Sequence, residues 1–266
     1  MTFPIKAVFR LTGKLLRQSA IPLALVTVLL GYLPHTAVHY GLQSLMYTRL
    51  GAVIVSAPFV AGNVLLVINQ FISAFYLCAV SEIALRTAAG KPLRPGKMLI
   101  DALVNAVPVM VIQFALQTAT LLGVLLLVIP GVFVGVALSV VVPTYVCEGK
   151  SIVDSFRRAF RLTKGRRWGI FGIWLSIRLI SFVVFPNTLL SPVNSAFAVV
   201  RHVAPTFSLP DVPAGIAYAP ATATALGFVI TLITTLTIVL NTAIYLTLRF
   251  HSPDQGKNTR IAEVFE

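Results

Sequence analysis

Apolar residues run in long, nearly unbroken stretches, separated by short segments where lysine and arginine collect. A helix crossing a bilayer needs roughly 20 mainly apolar residues. Six stretches meet that requirement, at about 19–40, 61–85, 107–128, 131–147, 168–185 and 221–248. The third and fourth meet at Ile129-Pro130-Gly131, which leaves room only for a tight helical hairpin. β-Branched residues are frequent, as at Val140, Val141 and Val142, but no short alternating segments accompany them, so a membrane β-barrel is disfavoured. The pattern predicts an all-α polytopic membrane protein, one transmembrane domain over residues 1–266.

Composition narrows the function. Of 266 residues, 57% are hydrophobic and 11% charged, against about 25% charged in soluble domains. With a mean hydropathy of +0.90, this excludes an ordinary soluble enzyme, a disordered tail and a nucleic-acid module. Two cysteines exclude a disulfide scaffold or zinc knuckle. The first apolar stretch follows a long basic segment, and no Ala-x-Ala site comes after it, since His35 precedes Thr36 and Ala37. It therefore reads as an uncleaved first span.

Lys plus Arg number 21 against 8 for Asp plus Glu, a net charge of +13. Their placement sets the topology. With the N-terminus inside, six spans put Lys6, Arg10, Lys14 and Arg17 in the cytoplasm, followed by Arg86, Lys91, Arg94 and Lys97 in the second-to-third connection. The fourth-to-fifth connection adds Lys150, Arg157, Arg158, Arg161, Lys164, Arg166 and Arg167, and the C-terminal end adds Arg249, Lys257 and Arg260. Only Arg49 and Arg201 fall outside, and Arg178 lies within a span. This asymmetry is the positive-inside pattern and predicts both termini on the cytoplasmic side.

Two cytoplasmic segments read as basic amphipathic helices lying in the membrane interface. In residues 4–17, Lys6, Arg10, Lys14 and Arg17 share a narrow arc opposite Ile5, Val8, Phe9, Leu11, Leu15 and Leu16. In residues 151–164, Ile152, Phe156, Ala159, Phe160 and Thr163 form one face and Arg157, Arg158, Arg161 and Lys164 the other. Ser151 and Asp154 have capping-box spacing, Gly165 is placed to end the helix, and Trp168 reads as an interfacial anchor. A third segment, 95–106, is basic at its start but separates its faces poorly. Together the three segments mark three units, each an interfacial segment followed by a helical hairpin, with Gly90-Lys91 and Gly149-Lys150 at corresponding starts.

Val128-Ile-Pro-Gly-Val-Phe, Val142-Pro, Glu148-Gly-Lys-Ser and Ser155-Phe-Arg-Arg-Ala-Phe-Arg-Leu-Thr-Lys-Gly together resemble the signature of YciC-like bacterial inner-membrane proteins. They are similar also to the membrane domain of membrane-anchored glycerophosphodiester phosphodiesterases. The resemblance covers about 40 residues; elsewhere it extends to span number and length. It implies a six-span α-helical protein of the bacterial inner membrane and carries no established biochemical activity. The spans use the whole length, leaving no catalytic phosphodiesterase domain.

An ionisable residue inside a span is a functional candidate. Arg178 falls ten residues beyond Trp168, roughly 15 Å along a helix, near the middle of a bilayer core. Glu82, within the second span, is its candidate acidic partner, across a mismatch in depth. Asn63, Asn69, Gln70, Gln113, Gln117 and Asn241 read as interhelical polar contacts. Thr224, Gly227, Thr231, Thr235 and Thr242 read as a packing stripe on the last span. Pro58, Pro108 and Pro143 are candidate kinks.

Little chemistry follows. His35 and His39 could share a helical face but have no third ligand nearby, so no metal is expected. Cys78 and Cys147 read as buried thiols. No Walker loop, Gly-x-Ser-x-Gly or His-Glu-x-x-His pattern occurs, so neither enzyme activity nor a cofactor is expected. The Pro-rich connection 187–220 reads as an external loop.

The expected function is a non-enzymatic inner-membrane protein that engages anionic phospholipid through its basic interfacial helices. Competing readings are a small-solute or lipid transporter using Arg178, and an anchor or assembly partner for another membrane protein.

Overall fold

The computed structural model describes residues 4–38, 58–126, 128–149, 151–184 and 220–250, without the side chains of 58–66, 121, 124–130, 178, 180–184 and 220–224. Residues 187–219 of the expected external loop and His39 lie outside this set, as do the side chains of Asn63, Thr224 and Arg178.

Among the described residues the fold is helical, with no strand. α1 is Ile5–Gln18 and α2 is Ala20–Val26, which runs through a π-helical turn at Thr27–Tyr32 into residues 33–38. Then come α3 (Pro58–Ala88), α4 (Pro95–Leu126), α5 (Val128–Leu138), α6 (Val141–Glu148), α7 (Ile152–Thr163), α8 (Arg167–Val184) and α9 (Pro220–Phe250). Five stretches among the described residues are long and apolar enough to cross a membrane: Ala20–Val38, Val67–Ala88, Pro95–Thr120, Gly131–Glu148 and Ala225–Phe250. This is the architecture of a multi-pass membrane protein. α8 occupies the position expected for a further span.

α9 is the central post. Its C-terminal half, including Ile238, Val239, Leu240, Ala243, Ile244, Tyr245 and Leu248, is buried on all sides. It packs against α1, α3, α6, α7, α8 and the π-helical turn, and burial all round is what a helix apolar on every face requires. The outside of the bundle is itself apolar: Ile21, Leu25, Leu29 and Leu33 form one exposed row on α2, and Val104, Val107, Val111 and Phe114 another on α4. Such continuous apolar surface suits lipid rather than water. Opposite its exposed row, α2 turns Leu23, Thr27 and Gly31 inward.

α4 and α5 pack against each other as the expected hairpin does, but Ile129-Pro130-Gly131 are not its turn: they are helical, in the first turns of α5, where a proline is tolerated. The hairpin α3–α4 is joined by a short turn in which Gly90 takes φ +61°. Residues 95–106 differ from expectation. They are not a separate interfacial element but the first turns of one 32-residue helix. The cause is a single buried stripe, Met98, Ala102, Ala106, Val109 and Ile112, which runs past Pro108 without a change of face. Packing along that stripe outweighs the one hydrogen bond a proline removes. At roughly 1.5 Å per residue, α4 is about 48 Å long, more than a roughly 30 Å hydrocarbon core.

Candidate interfacial lipid site

α7 is set by its ends. Ser151 Oγ accepts from the Asp154 amide at 3.2 Å, the N-cap half of the box read from the sequence, and donates to Asp154 Oδ2 at 2.7 Å. Gly165, at φ +80°, follows the last helical turn, where a residue with a Cβ would be strained. The cap and the stop fix where each side chain points around the axis.

At roughly 100° per residue, α7 divides into three sectors rather than two faces. Ser155, Ala159, Leu162 and Thr163 are buried, and Thr163 Oγ1 lies 3.2 Å from the Ala137 carbonyl of α5. Next around the axis come Phe156, Phe160 and Val153; Val153 and Phe160 are exposed. Beyond them stand Lys164, Arg157 and Arg161, all exposed. The face read from the sequence as one is thus divided: Ala159 and Thr163 are buried and Phe160 is exposed. Small residues occupy the buried part because α7 lies close against α5 and α6.

Arg158 also departs from expectation. It is the basic residue whose angle falls nearest the buried sector, and it turns in to Glu148, with Nε 3.5 Å from Oε1. The two side chains are only 14% and 7% exposed. Glu148 Oε1 also accepts from the Tyr245 hydroxyl at 3.1 Å, and Arg249 Nη1 donates to that hydroxyl at 3.2 Å and to Cys147 Sγ at 3.0 Å. The cluster ties α6, α7 and α9 together at one end of the bundle. Arg158 thus lies against Glu148 at this end of the bundle rather than on the exposed arc of α7. Cys147 is exposed, against expectation, because it sits on the last turn of α6 past the buried run Val141–Thr144; Cys78 is buried, as expected.

α1 repeats this arrangement. Val8, Leu11, Thr12 and Leu15 are buried against α9 and α3, Ile5 and Phe9 are exposed beside them, and Lys6, Arg10, Lys14 and Arg17 are exposed beyond. Set beside α7, Ile5 matches Ile152, Phe9 matches Phe156, Arg10 matches Arg157, Lys14 matches Arg161, Leu15 matches Leu162 and Arg17 matches Lys164. Leu11 stands where α7 has Arg158, so the one cation turned inward has no basic counterpart on α1.

A groove of about 740 Å³ opens along α7, lined by Leu138, Asp154, Phe156, Arg157, Phe160 and Arg161. One wall is braced by Arg167, whose guanidinium stands 4.1 Å from the Phe160 ring centre and 4.5 Å from that of Phe133. Its Nη2 also donates to the Phe160 carbonyl at 3.4 Å. Trp168, 86% exposed, follows directly and meets Phe171 edge to face at 6.0 Å.

Only some polar residues within the spans are paired among the described residues: Gln113 Oε1 and Asn241 Oδ1 are buried without a hydrogen-bond partner. Glu82 has a partner on its own helix: Arg86, one turn on, donates Nε and Nη2 to Glu82 Oε1 at 2.8 and 2.7 Å, and Nη2 reaches Asp101 Oδ2 at 3.2 Å. A neighbour on the same helix satisfies Glu82 with no change in depth. Arg178 lies on α8, its side chain outside the described residues. Gln70 and Gln117 exchange amide hydrogen bonds at 2.9 and 3.5 Å, and His35 Nε2 lies 3.4 Å from Ser73 Oγ. Thr27 and Thr235 hydroxyls are 2.9 Å apart, and Tyr76 joins them through Thr235. No cluster of three metal-ligating side chains occurs among the described residues.

Sequence reasoning did not single out Glu148, Tyr245 and Arg249, or Tyr76 with Gly31. The angular position of Arg158 was a usable signal for the first group; the second depends on contacts between distant helices. Comparisons with family models, curated proteins and solved structures give no match.

Proposed function

We propose that this chain is a non-enzymatic protein of the bacterial inner membrane, akin to the YciC-like family, that engages anionic phospholipid through α1 and α7. In this reading α8 completes six spans and both termini are cytoplasmic. α1, the first turns of α4, and α7 each begin one of three units. The observation that carries the reading is the shared three-sector order of α1 and α7. Each has a buried face, then exposed apolar side chains, then exposed cations. A helix divided in this way meets protein, acyl chains and headgroups at once, as an interfacial helix does. The seven exposed cations, Lys6, Arg10, Lys14, Arg17, Arg157, Arg161 and Lys164, each contribute on the order of 1 kcal/mol near an anionic surface.

The test is reconstitution of the full chain into phosphatidylcholine nanodiscs with and without phosphatidylglycerol. The expected result is a higher unfolding midpoint in the anionic discs, diminishing as salt is raised, and anionic lipid retained on purification. Equal midpoints with no retained anionic lipid would overturn the reading. The topology has its own test: in a background lacking both native cysteines, K97C and R161C are expected to label from the same side of the membrane.

A further inference from the structure

We propose that the groove along α7 is a site for one anionic phospholipid, its phosphate held by Arg157 and Arg161 and the upper part of an acyl chain lying on Phe156, Phe160 and Leu138. This rests on the preceding reading and goes further, since a charged surface attracts many lipids loosely whereas a groove retains one.

Residue spacing builds the site. Phe156 and Phe160 are one turn apart, and so are Arg157 and Arg161, so the helix presents an aromatic row beside a cationic row. Leu138, from the end of α5, faces these rows from the other side. The groove, about 740 Å³, is shallow and open on its outer side. It accommodates a headgroup with the first part of a chain, not a whole lipid.

Charge selects the headgroup. Asp154 is the acid lining the groove, and its Oδ2 is engaged by the Ser151 hydroxyl. Its Oδ1 is 4.0 Å from Arg157 Nη1, a long contact at a side chain that is 74% exposed. Arg161 has no ion pair among the described residues. Two guanidinium groups one turn apart suit the several oxygens of a phosphate, which arginine binds by paired hydrogen bonds. A free phosphate would leave the aromatic row uncovered; a diacyl lipid covers it. Trp168, next to the braced Phe160 wall, is of the residue type that marks headgroup depth.

The experiment is native mass spectrometry of the full chain released from phosphatidylcholine–phosphatidylglycerol nanodiscs, with helicity checked by circular dichroism. Wild type is expected to carry one phosphatidylglycerol that survives gentle activation and is not displaced by inorganic phosphate. R157Q/R161Q is expected to reduce its retention by roughly thirtyfold, the worth of two cations at a membrane surface. R10Q/K14Q on α1 is expected to leave it in place. L138W, which fills the groove without altering charge, is expected to remove the retained lipid while the anionic dependence of the unfolding midpoint persists. Equal loss in both charge variants, or retention in L138W, would overturn the site and leave the general surface reading standing. Absence of any anionic dependence in wild type would overturn both. Displacement by inorganic phosphate would show an anion site without a lipid.

Discussion

Gly31 sits where the π-helical turn of α2 meets α3 and α9. A Cβ built there would stand 2.7 Å from Thr231 Cγ2 and 3.0 Å from two atoms of the Tyr76 ring. Neither neighbour can swing aside freely. The Tyr76 hydroxyl bonds to Thr235, and Thr231 Oγ1 donates to the Gly227 carbonyl at 2.8 Å. Overpacking of this kind costs about 1–3 kcal/mol. Replacing glycine by alanine in a helix returns up to about 1 kcal/mol, so packing wins. Gly31→Ala is expected to destabilise by about 1–2 kcal/mol, lowering the unfolding midpoint by about 2–8 °C. Thr231→Ser removes the nearest methyl and keeps the hydroxyl. In that background the alanine should cost roughly half as much, a coupling of about 0.5–1 kcal/mol. The assay is thermal unfolding of the four proteins of this cycle in one detergent. A Gly31→Ala protein as stable as wild type, or an alanine cost identical in both backgrounds, would refute the close approach as its cause.

Arg158→Ala removes the guanidinium 3.5 Å from the Glu148 carboxylate and is expected to cost about 3 kcal/mol, whereas Arg157→Ala, on the exposed arc of the same helix, should change stability in neutral detergent by less than about 0.5 kcal/mol; parallel thermal unfolding there compares them. A membrane-impermeant maleimide is expected to modify Cys147 and leave Cys78 unreacted in the folded protein, so C147S abolishes labelling and C78S does not. The Gln70–Gln117 exchange is worth about 0.6–2 kcal/mol; Gln70→Leu should lose that amount, and adding Gln117→Leu should cost less than its effect alone, as read by a double-mutant cycle.

Features local in sequence were legible there. The apolar runs, the Ser151–Asp154 cap and the stop at Gly165 each depend on a few adjacent residues, and each is present. Features that depend on a neighbour were not. Arg158 carries the same charge as Arg157; its angle brings it beside the buried sector, but that Glu148 of α6 waits there is not written in the sequence of α7. Residues 95–106 read as interfacial because their first turn is basic, but the stripe from Met98 to Ile112 makes them part of α4. Glu82 and Arg178 invited pairing as the ionisable residues counted within spans. Arg86, one turn from Glu82, had been counted with the loop cations.

The π-helical turn at Thr27–Tyr32 settles how the two halves of α2 are phased. Leu23, Thr27, Gly31 and His35 all face the bundle at intervals of four, and Ile21, Leu25, Leu29 and Leu33 all face away. In an ordinary α-helix four-residue steps precess, and three of them would swing His35 roughly 120° from the direction of Leu23. The looser winding absorbs that rotation. Deleting a single residue from this turn would restore the tighter coil and carry His35 off Ser73, so chain length here is a constraint on orientation, independent of which apolar side chains fill it.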